Sequence, residues 1–233
     1  MIVAIDGPAG SGKSTVARAL AKREHLTYLD TGAMYRAVTW AALARGVDTH
    51  DTAAVGQLAW ALDVVLTPDE DGERVSVDGH DVTRQIRTPE VDAAVSAVAA
   101  VPAVREAMLV LQRRSAETGD VVAEGRDIGT VVFPSAEVKV FLSADPAARA
   151  RRRAVQRAGG DTATDVSATA DAEETARIEA ELVARDKADS ERATAPLKAA
   201  PDAVLVDSTA LTVDEVCDRI CALIDGARAG ARA

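Results

Sequence analysis

Eight residues near the start of the chain, Gly7-Pro8-Ala9-Gly10-Ser11-Gly12-Lys13-Ser14, fit the spacing G-x-x-x-x-G-K-[ST]. Each position has a chemical reason. The glycines let the backbone close around phosphate oxygens with its N–H groups pointing inward. A helix beginning just after them aims its N-terminal dipole at the same anion. Lys13 supplies a point charge near the β- and γ-phosphates, and the Ser14 hydroxyl is a ligand for Mg²⁺. An apolar run, Ile2-Val3-Ala4-Ile5, precedes the loop, and a helical pattern from Thr15 follows it. A nucleoside triphosphate with Mg²⁺ is therefore expected on Gly7 to Thr15. The reaction stays open, because switches, motors and small-molecule kinases all use this loop.

Three further segments narrow it. Asp30-Thr31-Gly32-Ala33-Met34-Tyr35-Arg36 follows a second short strand, and Glu124-Gly125-Arg126-Asp127-Ile128-Gly129 follows a later one. Arg185-Asp186-Lys187-Ala188-Asp189-Ser190-Glu191-Arg192 comes last. With the phosphate loop, and in this order, they resemble bacterial cytidylate kinases from Met1 to about Ile224. The resemblance implies transfer of the γ-phosphate of ATP to CMP or dCMP, with Mg²⁺. It implies an α/β, nucleoside-monophosphate-kinase form of the P-loop fold, with a small β insertion and a short lid. Core would be 1–36, 85–148 and 193–226; the monophosphate region 37–84; the lid 149–192; and 227–233 a frayed tail.

The resemblance also assigns residues. Thr31, Arg36, Ser96, Arg105, Arg126, Asp127, Arg185, Asp189 and Arg192 would line the CMP site. Arg36, Arg126 and Arg185 would hold the acceptor phosphate; Ser96 and Arg105 would read the cytosine edge. Asp127 would contact the cytosine amino group or orient its readers, and Asp189 would take the sugar hydroxyl. Lys13, Arg126, Asp127 and Arg185 form the expected catalytic set. Members often carry Ser where Thr31 stands, and some carry Arg where Ala188 stands.

The chemistry agrees with that assignment. A nucleotide phosphate has a second pKa near ~6, so at neutral pH the acceptor is already mostly a dianion. It needs little general-base help, and His25, His50 and His80 lie in separate segments that read as surface or turn positions. What it needs is neutralisation and alignment of two anions, which the arginine fork supplies in bidentate fashion. The densest basic cluster is Arg149, Arg151, Arg152, Arg153 and Arg157. The resemblance makes this the start of the lid; Arg149 and Arg153 are four apart and share a helical face, and they, with Arg152 as a further candidate, are expected to close over ATP phosphates.

These side chains need a frame. Short apolar strands at 2–5, 27–30, 121–124, 138–142 and 203–207 alternate with helical patterns, which predicts a parallel sheet covered on both faces. Helices are expected at about 33–45, capped by Thr31, and at 53–61, 89–100, 102–117, 146–157, 173–190 and 212–224. The stretch 63–83 reads as a small antiparallel hairpin set around a solvated Glu70-Asp71 turn. Asp161 to Asp171 reads as a mobile loop. Ligands on such a sheet bind beyond the carboxyl ends of the strands.

The 233 residues carry 27 basic and 37 acidic side chains, a net charge of −10. That balance disfavours a general nucleic-acid binder or a protein that docks on anionic membranes. Aromatic residues are 3%, too few for a base-stacking platform. Cys217 and Cys221 sit on one apolar helical stripe and read as core. With no secretory pattern at the N-terminus, a cytosolic protein is expected, and the resemblance implies a monomer. Two other readings remain: a P-loop kinase for a hydroxyl acceptor such as shikimate or gluconate, and a nucleotide-dependent switch. A guanine-reading Asn-Lys-x-Asp, which a GTPase switch would want, is absent from the sequence.

Overall fold

The computed structural model describes residues 1–69, 72–117, 119–160 and 170–231. Its frame is a parallel sheet of five strands: Ile2–Asp6 (β1), Thr27–Asp30 (β2), Val121–Gly125 (β6), Val138–Ser143 (β7) and Val204–Asp207 (β8). Their order is β2-β6-β1-β7-β8. Ile2 lies opposite Val121 on one side of β1, and Val3 opposite Val138 on the other. The chain first leaves β1 toward β2 and later returns on the far side as β7 and β8. A crevice therefore opens above the carboxyl end of β1, where the glycine-rich loop begins.

Helices cover both faces. Thr31–Ala44 (α2), Thr52–Ala61 (α3), Pro89–Ala100 (α4) and Pro102–Ser115 (α5) pack on one side around Leu29, Met34, Val38, Val98, Met108 and Ile128. Lys13–Glu24 (α1) and Val213–Gly230 (α8) pack on the other around Leu20, Leu142, Ile220 and Ile224. Cys217 and Cys221 are free thiols in that second core. A separate antiparallel sheet, Val64–Asp69 (β3), Gly72–Val77 (β4) and His80–Asp81 (β5), lays Val64, Val75 and Val77 on Ala33, Ala37 and Ala41 of α2. Alanines along α2 allow this close approach, and each buried valine contributes about 1.5–3 kcal/mol. Pro146–Arg157 (α6) and Ala172–Ser190 (α7) pair through Ala150, Ala154, Ile178 and Leu182, which also touch Ala9 of the glycine-rich loop.

The structure corrects several expectations. Asp30, not Thr31, caps α2, its carboxylate accepting from the Ala33 amide at 2.9 Å. The last helix does not end at Ile224. It continues to Gly230, with Arg228 donating to Glu24 at 2.7 Å, so residues 227–230 are not frayed. An unforeseen π-helical turn, Ile128–Val132, follows β6, because the buried Asp6 carboxylate accepts from the Ile128 and Gly129 amides at 2.7 Å each. The Glu70-Asp71 turn and residues 161–169 of the expected loop lie outside the described residues. Among the described residues no single helix is long and apolar enough to cross a membrane.

Candidate active site

The glycine-rich loop joins β1 to α1. Gly7 has φ 152°, and a Cβ there would lie 2.0 Å from the Leu142 carbonyl oxygen of β7. Only a residue without a side chain lets the loop leave the sheet at that point. Gly12 starts α1 at φ 91°, a left-handed cap. Lys13 is buried and its Nζ donates to the Pro8 carbonyl at 2.7 Å. Burial and the neighbouring Arg126 push its pKa down to about 7, against the opposing pull of Glu124 and Asp6. Burial also raises Asp6 to about 6 and raises Glu124, the latter further through Asp30.

Above this loop lies a cleft of about 1320 Å³, larger than the usual pocket for one drug-sized ligand. Ala9 to Thr15 form one end of it. Thr31, Arg36, Ser96, Arg105, Arg126, Asp127, Arg153, Arg185, Asp189 and Arg192 all line the same space. Three expected residues do not: Gly7, Pro8 and Arg149. Gly7 answers to β7, and Pro8 supplies a carbonyl to Lys13. Arg149 is buried, and donates to the Ala9 carbonyl at 2.9 Å, the Ala144 carbonyl at 3.1 Å and Asp186 at 2.5 Å. It braces the loop from behind instead of reaching into the cleft. A shared helical face with Arg153 did not reveal this, because a long guanidinium goes where acceptors are.

Buried ion pairs organise the far end. Arg105, from α5, pairs with Asp127, donates to the Ala99 carbonyl at 3.3 Å and stands 5.5 Å over the Tyr35 ring. Burial raises Asp127 even though Arg105 and Arg192 oppose it. Arg126 donates through Nε to Asp189 at 2.9 Å, which leaves its two terminal nitrogens for another acceptor. Asp189 also faces Arg192 at 3.7 Å. Thr31 donates its hydroxyl proton to the Glu124 carbonyl at 2.7 Å, tying α2 to the end of β6. Arg185 Nε and Arg192 NH2 are buried without a hydrogen-bond partner. Orphaned donors of this kind suit an acceptor supplied by a ligand or by water. Burial, reinforced by Arg126 and Arg36, lowers Arg185 to about 10.

Several residues shape the site through contacts that sequence reasoning did not assign. Asp92 of α4 pairs with Arg36. Asp186 accepts from the Ala9 amide at 3.3 Å. Arg152 donates to the Ser208 hydroxyl at 3.2 Å and to the Ser208 carbonyl at 2.6 Å, beside the loop. Glu73 of β4 accepts the Asp30 amide at 2.9 Å. Asp92 and Glu73 lie outside the segments singled out in the sequence, Asp186 and Arg152 lie inside them, and each acts across 43 or more residues of sequence.

Ser14, Asp30 and Glu124 line the same cleft as Lys13. These are hard oxygen donors. No group of three or more His, Cys, Asp or Glu suited to a metal occurs among the described residues. That donor set fits a Mg²⁺ ion carried mainly by phosphate oxygens and waters, not one caged by protein.

A family model described as cytidylate kinase matches residues 3–226. A cytidylate kinase of Exiguobacterium sibiricum is 47% identical over 225 residues, covering 97% of both chains. One of Geobacillus kaustophilus is 48% identical over 223 residues, covering 96% of both. A bifunctional pantoate ligase/cytidylate kinase of Prochlorococcus marinus is 50% identical over 221 residues, 94% of this chain but 42% of that protein. The chain thus spans under half the length of the bifunctional relatives it matches.

Proposed function

The chain belongs to the cytidylate kinase family, and from that premise we propose that it transfers the γ-phosphate of ATP to CMP or dCMP in the cleft above the glycine-rich loop, giving CDP or dCDP. The observation that carries the reading is the set of guanidinium donors without hydrogen-bond partners in the cleft above that loop. Arg185 Nε and Arg192 NH2 lack hydrogen-bond partners, and Arg126 spends only Nε on Asp189.

ATP enters at Ala9 to Thr15. Loop amides and Lys13 take its β- and γ-phosphates, and Arg153 approaches from the lid. Ser14 is the protein ligand we assign to Mg²⁺, which when bound offsets charge on the β- and γ-oxygens. CMP enters from the other end. Arg36, Arg126 and Arg185 hold its phosphate as a dianion, so no side chain is assigned as general base. Asp189 keeps the Arg126 fork turned toward that phosphate. Arg105, fixed by Asp127 and the Ala99 carbonyl, and Ser96 read the base. Thr31 and Arg192 complete the pocket. Two anions are brought in line by fixed cations while the lid excludes water. We also propose that residues 149–192 act as the lid, that 37–84 belong to the monophosphate region, and that the enzyme works as a monomer. The border at 36/37 falls inside α2, and α4, beyond residue 84, carries Asp92 and Ser96 into the acceptor half.

The test is ADP formation from Mg-ATP with CMP, dCMP, UMP, AMP, shikimate and gluconate. Turnover concentrated on CMP and dCMP is expected. Turnover confined to a hydroxyl acceptor would discard the acceptor site, and ATP binding without turnover on any acceptor would favour a switch.

A further inference from the structure

One carboxylate in the cleft has no part in these assignments. Asp92 sits near the start of α4, 14% exposed. Its Oδ1 accepts from Arg36 NH2 and its Oδ2 from Arg153 NH2, both at 2.5 Å. Arg185 NH1 lies 3.9 Å from Oδ1. Arginines from α2, α6 and α7 thus converge on one side chain. Burial works against its charge, yet Arg36, Arg153 and Arg185 together hold its carboxyl below the usual carboxylate range. Asp92 is ionised at neutral pH.

A carboxylate presents two oxygens to guanidinium forks much as the edge of a phosphate does. Arg36 and Arg185 are the arginines given above to the acceptor phosphate, and Arg153 is the one given to ATP. In the protein without nucleotides, Asp92 therefore stands among these cations as an acceptor phosphate would.

Resting on the function proposed above, we propose that Asp92 is an interlock: it holds Arg153 until an acceptor phosphate takes over Arg36 and Arg185. With ATP alone in the cleft, Arg153 free to reach the γ-phosphate would assist attack by water. In that side reaction the water oxygen bonds to the γ-phosphorus, the bond to the β–γ bridging oxygen breaks, and ADP, inorganic phosphate and a proton leave. Pairing with Asp92 withholds one cation from it. An arriving CMP dianion outcompetes the singly charged carboxylate for Arg36 and Arg185 and repels it. The Arg153 contact then weakens only when the correct acceptor is present. Asp92 is a positioning residue in this scheme, acting through Arg153 and touching neither reacting phosphate.

The experiment measures ADP formation from Mg-ATP, with and without CMP, for wild type, Asp92→Asn, Asp92→Ala and the double variant Asp92→Asn/Arg153→Gln. Alanine is favoured at a helical position, and circular dichroism checks the fold of each variant. The expected result is a rise of about tenfold or more in CMP-free ADP formation for both single variants, well within the ~10³ that one arginine can supply to phosphoryl transfer. The KM for CMP falls, because its phosphate no longer displaces an anion. Adding Arg153→Gln returns the CMP-free rate to the wild-type level. An unchanged CMP-free rate, a raised KM for CMP, or unfolding of both single variants would overturn the proposal and leave Asp92 a structural brace. Wild type without CMP turnover would instead overturn the function itself. Normal wild-type turnover with unaltered variants would overturn the interlock alone.

Discussion

Lys13 carries a titration that ATP must reverse. Burial and Arg126 bring its pKa to about 7 in the free protein. At pH 8 only roughly a tenth of the molecules then hold an ammonium there. Beside a triphosphate the ammonium is favoured again, and its pKa returns to at least the ordinary lysine value of ~10.4. Binding ATP at pH 8 should therefore draw in about 0.9 proton per site, and at pH 6 only about 0.1. The sign follows from linkage: uptake means that ATP affinity falls as pH rises above about 7, approaching tenfold per unit. Asp6, near 6, is already deprotonated at pH 8 and adds little. Isothermal titration calorimetry in buffers of differing ionisation enthalpy gives the proton count as a slope, and Lys13→Met should abolish it. A wild-type slope near zero at pH 8 would refute the reasoning, since it would mean the buried lysine was fully charged before ATP arrived.

Other outcomes follow from the same geometry. Arg126→Ala should lower kcat by about 10³ while ATP binding persists, because its free terminal nitrogens hold the acceptor phosphate in line with the γ-phosphoryl group; steady-state kinetics with a binding titration checks this. Arg105→Ala removes the guanidinium that pairs directly with buried Asp127, so it should cost about 3 kcal/mol of stability and raise the KM for CMP more than it lowers kcat. Denaturant unfolding and kinetics together read that split, and a stable variant with normal KM would contradict it. Glu73 is pushed up to about 8, chiefly by burial, despite the Asp30 amide it accepts. A raised folded pKa gives stability that is present below the unfolded value and lost as pH rises through about 8. Glu73→Gln should therefore flatten the Tm profile between pH ~4.5 and ~8 and raise Tm at pH 9; a profile with an unaltered slope would contradict it.

How much of this was legible beforehand depended on how local each cause is. The phosphate loop was readable because each of its positions answers to phosphate or to the adjoining strand, and Gly7 shows the second case. The strand–helix alternation gave the parallel sheet, and a short alternating stretch gave the hairpin set, because burial on two faces or one leaves its own pattern. The end of α8 was misread because the Arg228–Glu24 pair that secures it spans 204 residues of sequence. Asp30 was passed over as the cap of α2 although its type suits one. The second site was another matter. An isolated arginine carries no periodicity, so Arg36, Arg185 and Arg192 could be chosen only through resemblance, whereas Arg126 also stood just past the carboxyl end of a strand. Arg149 was sent to the wrong place because its partners, Ala9 and Asp186, are distant in sequence. Asp92 was invisible for the same reason, since only the fold brings α2, α6 and α7 to one carboxylate.

The central claim is that one cleft holds ATP and CMP together, phosphate toward phosphate. A bisubstrate compound joining adenosine and cytidine through a 5′–5′ pentaphosphate tests it most directly. Titrated calorimetrically, it should bind one to one, at least about 10² tighter than either nucleotide, and be displaced by both ATP and CMP. Binding no tighter than ATP alone, or displacement by only one of the two, would contradict the account.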